Sequence, residues 1–179
     1  MNRIAPQTYI LFTAFVWAFG WVLVDAPVLK SGYQPVPAPR GEVARLMFNE
    51  KEYALAHAWQ AVRAGDGERA ATYAHRSLAA APENAYGWLA LAWAEALAGR
   101  DDAGIAALER SYQLAPRSMP LAVSQVVLAQ RWWPRLSVER RKALLSEVKV
   151  ARGLDAHAFN LAAIETPRLA ILHRMAQTR

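Results

Sequence analysis

Apolar and polar positions fall into three regimes along the chain. Residues 4–24 run for 21 positions without a charged side chain; at about 1.5 Å per residue such a helix crosses a hydrocarbon core of about 30 Å. This predicts a transmembrane anchor over residues 1–26. Residues 27–39 then hold four prolines, which remove backbone donors and fix φ, so residues 27–41 predict an extended spacer. From about residue 42 onward small and apolar side chains recur at helical spacing, alanine is abundant and β-branched residues are sparse. That pattern predicts amphipathic helices packed closely on one another, and an all-α fold.

The helical part repeats itself. Pro82 and Pro116 lie 34 residues apart, and each ends a similar amphipathic stretch. Trp88, Leu91, Ala92, Gly99, Gly104, Leu108, Ser111 and Pro116 in the second stretch are matched in the first by Ala58, Gly65, Ala70, Ser77 and Pro82, with Ala54 and His57 where larger residues are expected. Trp88 and Leu91 fill space between helices, Ala92 and Gly104 permit close approach, and Gly99 turns the chain. Asn49 with Glu52 predicts a capping box for the first helix, and Asp101 is expected to cap the fourth.

On these residues the chain resembles the tetratricopeptide-repeat (TPR) family over about residues 42–131. The resemblance implies a short helical solenoid: two repeats over residues 42–116, then a degenerate third repeat and capping helices over residues 117–179. A third first-helix is expected from Ser118 to about Arg131, after which Trp132-Trp133-Pro134 replaces the usual turn. Ser137 is expected to cap a helix that Gly153 stops near Arg152, with two short closing helices over residues 155–165 and 167–177.

In that family the first helix of each repeat lines a concave face that binds proteins. Carried over position by position, the face comprises Glu52, Leu55, Trp59, Val62 and Arg63, then Tyr86, Leu89, Trp93, Ala96 and Leu97, then Pro120, Val123, Val127, Gln130 and Arg131. Trp59, Trp93 and Val127 recur at the period and suggest an apolar groove for an amphipathic helix or extended peptide. An alternative stays open: the C-terminal helices fold back and make both tryptophans core.

Charge adds a second candidate surface. Of the net +6, residues 117–179 carry 11 Lys and Arg against four Asp and Glu, whereas residues 31–116 carry eight against ten. Arg131, Arg135, Arg140, Arg141 and Lys142 flank Trp132 and Trp133, a basic surface suited to anionic lipid headgroups or an acidic polysaccharide, or else an ordinary solvated face balanced in part by Glu139 and Glu147. Other chemistry is thin. With no cysteine, disulfides and thiolate sites are excluded. The four histidines, His57, His75, His157 and His173, have no metal-ligand spacing. Gly65-Asp66-Gly67 lacks the lysine and strand of a phosphate loop, and no nucleophile motif is present. The expectation is a non-enzymatic protein without metal or cofactor.

Arg3 before the apolar run and Asp25 after it favour a cytoplasmic N-terminus. Val24-Asp25-Ala26-Pro27 is a poor cleavage site, so the anchor is expected to be retained. The resulting expectation is a single-pass inner-membrane protein with a periplasmic TPR domain and no nucleic-acid partner. Membrane-tethered relatives with this layout act in bacterial envelope assembly, exopolysaccharide synthesis and export among them. The resemblance therefore implies a scaffold that binds a protein partner; a glycan-binding module or a permanent subunit of a membrane complex are the alternatives.

Overall fold

The structure, a computed structural model, describes residues 49–178. The predicted anchor, the spacer and residues 42–48 lie outside them. Among the described residues no helix is long and apolar enough to cross a membrane.

The described residues form eight α-helices and one 3-10 segment, with no strand. They are α1 (Glu50–Arg63), α2 (Gly67–Ala80), α3 (Ala85–Leu97), α4 (Asp101–Leu114), α5 (Met119–Ala129), the 3-10 segment (Gln130–Arg135), α6 (Val138–Leu154), α7 (Ala156–Glu165) and α8 (Pro167–Gln177). Consecutive helices pair as α1–α2, α3–α4, α5–α6 and α7–α8. Across the joints, α3 packs on α1 and α2, while α7 and α8 pack on α6. The result is a solenoid-like stack of helix pairs.

The first two pairs repeat in atomic detail. Gly65 and Gly99 both take φ of 75°, a left-handed turn that a side chain resists. The next amide in each turn reaches back to close the helix end: Asp66 N–H donates to the Ala61 carbonyl at 3.0 Å, and Arg100 N–H to that of Glu95 at 2.9 Å. Ser77 Oγ donates to the Lys51 carbonyl at 2.9 Å and Ser111 Oγ to the Ala85 carbonyl at 3.0 Å. Both serines are fully buried, so this bond satisfies a hydroxyl that would otherwise cost free energy. The expected Asn49 cap forms, its side chain accepting from Glu52 N–H at 3.2 Å.

The joint between the second and third pairs departs from this rule. At the first joint Gly67 lies directly on the backbone of α3: a Cβ there would come within 2.7 Å of Ala98 N and 2.9 Å of Ala94 O. The position one period later is Asp101, and the residue one period after Ala98 is Trp132. These larger groups meet through a hydrogen bond, Trp132 Nε1 donating to Asp101 Oδ1 at 2.8 Å. The indole spaces the helices apart, and α3 meets α5 over a thinner contact than α1 meets α3.

Two sequence expectations change here. Asp101 does not cap α4: Arg100 occupies the N-cap and Asp101 is the first helical residue, its carboxylate committed to Trp132 and Arg135. The capping aspartate of the first repeat is Asp66, which bonds Arg69 N–H at 3.0 Å, and the second repeat carries arginine at that place. Nor does Gly153 stop α6. The helix continues to Leu154 and ends at Asp155, whose side chain accepts from Ala158 N–H to start α7. Ser137 caps α6 as expected, and the two closing helices fall within a residue of their predicted bounds.

Candidate functional site

The first helices α1, α3 and α5 bring the residues of the predicted concave face onto one side of the stack, but not in one state of exposure. Leu55, Leu89 and Val127 are buried, and Trp59 is only 5% exposed; all four belong to the continuous core. Trp93 and Tyr86 are half-buried against it. Arg63, Leu97 and Arg131, themselves spaced by 34 residues, stand at the exposed edge. Leu97 keeps 39% of its surface in solvent.

The closing helices do not explain this burial. α6 and α7 pack on α5, and α8 packs on α6 and α7, whereas α1 packs on α2 and α3. The indole nitrogens of Trp59 and Trp93 are buried, and neither meets an acceptor among the described residues. Two N–H donors one period apart are thus left without partners on the same face. The outer edge is polar: Arg131 donates to the Ala96 carbonyl at 3.2 Å.

The basic surface is largely engaged within the fold. Arg135 bridges Asp101 at 2.7 Å and Asp102 at 2.8 Å. The Asp101 carboxyl is held below the usual carboxylate range, first by the Trp132 N–H and then by Arg135. Arg140 pairs with Glu109 and Glu147 and covers the Tyr112 ring, 4.8 Å from its centroid. Arg141 donates to the Trp133 and Pro134 carbonyls, both at 2.9 Å, while resting over the Trp133 ring. Of the residues assigned to that surface by sequence, Lys142 is exposed and forms no such bond among the described residues. The spacing of these pairs, about one repeat for Arg135 and Arg140, is the signal that could have located them.

Sequence reasoning did not find two further features. A recess of about 300 Å³ between α4, α5 and α6 is lined by Tyr112, Gln125 and Glu147 among others. Gln125 is fully buried and donates through Nε2 to Ser111 Oγ at 3.0 Å, continuing the chain from Ser111 to Ala85. Burial and the neighbouring Glu147 push the Tyr112 hydroxyl well above the ordinary phenol range. The second feature is a recess between α6 and α8, beside Arg152 and His173. No group of three or more His, Asp or Glu is placed to hold a metal among the described residues.

His57 lies between the Tyr53 and Tyr73 rings, with centroids 4.4 and 5.0 Å away. Burial, then the positive charge of Arg69, holds its imidazole below the ordinary histidine value. As pH falls through 6.5 the unfolded chain therefore takes up this proton before the folded one, and stability is lost until pH has passed below the folded value. The thermal midpoint is expected to fall between pH 7 and pH 5, and His57→Gln to show a shallower fall. An identical slope in the variant would assign the acid sensitivity elsewhere.

Comparison of the chain with family models, with curated proteins and with solved structures returned no match.

Proposed function

We propose that the protein is a membrane-tethered TPR adaptor whose α1–α3–α5 face takes up a segment of a protein partner in cell-envelope assembly, with exopolysaccharide synthesis or export as the pathway. The observation that carries this reading is the exposed edge Arg63–Leu97–Arg131, backed by the half-buried Tyr86 and Trp93. Half-buried aromatics beside arginine are the residue types that dominate binding energy at protein interfaces. Trp59, being core, supports the face from behind. The uncharged run of residues 4–24 and the proline-rich spacer are the basis for the tether.

The basic surface as a glycan or lipid site is the weaker reading, because Arg135, Arg140 and Arg141 already have partners. The groove reading is tested by crosslinking and capture of the full-length protein from native membranes, comparing wild type with Arg63→Glu/Leu97→Asp and with Trp93→Ala at equal abundance. Both edge residues are exposed, so the double substitution leaves the core intact. Loss of one specific partner by at least about tenfold is expected, the size of a single hot-spot contact. Unchanged partners in both variants would place the interface elsewhere and remove the adaptor face.

A further inference from the structure

A broad recess of about 660 Å³ opens between α6 and α8, lined by Lys149, Arg152, Gly153, Ala156, His173 and Gln177. Among the described residues its cations are not met by carboxylates, in contrast to Arg135 and Arg140. Arg135 and Arg140 each have carboxylate partners. Arg152 forms no ion pair among the described residues; its Nη1 lies instead against the neutral ring of His173 at Nε2. Gln177 Nε2 approaches the same ring nitrogen at 3.1 Å.

Two N–H donors facing one imidazole nitrogen make Nε2 the acceptor and put the ring proton on Nδ1. The ring is fixed edge-on to Phe159, with centroids 5.5 Å apart. Burial, then the positive charges of Arg152 and Lys149, holds His173 below the ordinary histidine value. The neighbouring carboxylate, Asp155 at the α6–α7 junction, is directed into its own helix, accepting from Ala158 N–H at 2.8 Å. Lys149, Arg152 and the Gln177 amide thus offer donors from two helices with no acid among the lining residues.

We propose that this recess binds a phosphoryl oxyanion, with Arg152 and Lys149 as its charged donors and the second N–H of the Gln177 amide beside them, while His173 orients Arg152 through Nε2. A guanidinium and an ammonium converging from two turns of one helix suit a multiply charged tetrahedral group, which accepts several charge-assisted bonds at once. The recess is open to solvent, so the group to which the phosphate is attached can extend outward. A lipid headgroup and a soluble phosphate ester share this chemistry.

The test uses full-length protein in phosphatidylcholine or phosphatidylglycerol nanodiscs, with the His173 titration followed by NMR and identified through His173→Gln. An oxyanion beside Arg152 favours the imidazolium, so inorganic phosphate is expected to raise the His173 pKa by about one unit and to leave His57 unmoved. Arg152→Gln is expected to raise the phosphate-free value, by removing a like charge, and to weaken the phosphate response at least about tenfold. A rise in phosphatidylglycerol discs without added phosphate assigns the site to lipid headgroups. A rise only with phosphate in phosphatidylcholine discs assigns it to a soluble ester. No rise in either, an equal rise with chloride at matched ionic strength, or a response unchanged in Arg152→Gln overturns the site.

Discussion

Trp132→Ala is expected to lower the unfolding free energy by about 3–5 kcal/mol, the range for removing a buried aromatic side chain, and to make denaturant unfolding less cooperative. The indole is 2% exposed and sits where the second and third helix pairs meet. Its Cζ2 is so close to Gly104 that a Cβ on that glycine would come within 2.8 Å. Removing the ring leaves a cavity lined by two different pairs, and the Asp101 carboxylate loses the first of its hydrogen bonds. In a stack where each unit touches only its neighbours, stability is a sum of unit and interface contributions. Weakening one interface therefore separates the transitions on either side of it. Trp132→Phe keeps most of the volume and loses the N–H, so it is expected to cost about 1 kcal/mol without loss of cooperativity. Urea unfolding followed by circular dichroism distinguishes the two. A cost below 1 kcal/mol for the alanine variant would mean that the joint closes by other contacts.

Gly67→Ala is the second large effect, expected to destabilise by about 1–3 kcal/mol, the cost of overpacking a filled joint. The added methyl would meet Ala98 N, Ala94 O and the Leu97 carbonyl carbon, at 2.7, 2.9 and 3.1 Å. These are backbone atoms of the last turn of α3, held by the Gly99 turn, and cannot step aside as a flexible side chain can. Gly153 is the control: it lies within α6 and a Cβ there meets nothing within 4 Å. Gly153→Ala is thus expected to stabilise by about 0.5–1 kcal/mol through the unfolded chain's lost freedom. Thermal melting of the two single variants checks the pair. Equal shifts of the same sign would mean that α2 and α3 adjust at the joint.

The helix order was legible because its signals are local. Pro82 and Pro116 mark the ends of second helices, Gly65 and Gly99 the turns within pairs, and Asn49 and Ser137 the helix starts, each acting through its own backbone. The cap of α4 was misread because a shift of one residue between repeats, from Asp66 to Asp101, exchanges a capping position for the first helical one. The charge pairing was illegible for a different reason. Arg135 and Arg140 find Asp101, Asp102 and Glu109 across helices, so a basic run in sequence is not a basic surface in the fold. The periodic positions of the concave face were legible as a stripe, but not their exposure, which places Trp59 in the core while Leu97 reaches solvent. The recess around Arg152 and His173 depends on α8 returning against α6, a tertiary fact with no periodic signature.

The serine bonds at Ser77 and Ser111, with the glycine turns that accompany them, make the helix pair a unit that can be copied. Residues 67–100 run from one second helix through the next turn, and the serine bond and the glycine turn that frame them recur one period away. Gene-level duplication of that stretch would lengthen the stack by one pair without inventing a new interface. The Trp132–Asp101 joint has no such counterpart. Extension of the array, in evolution or in design, is therefore simplest ahead of Arg100, where a repeated pair meets surfaces it already fits.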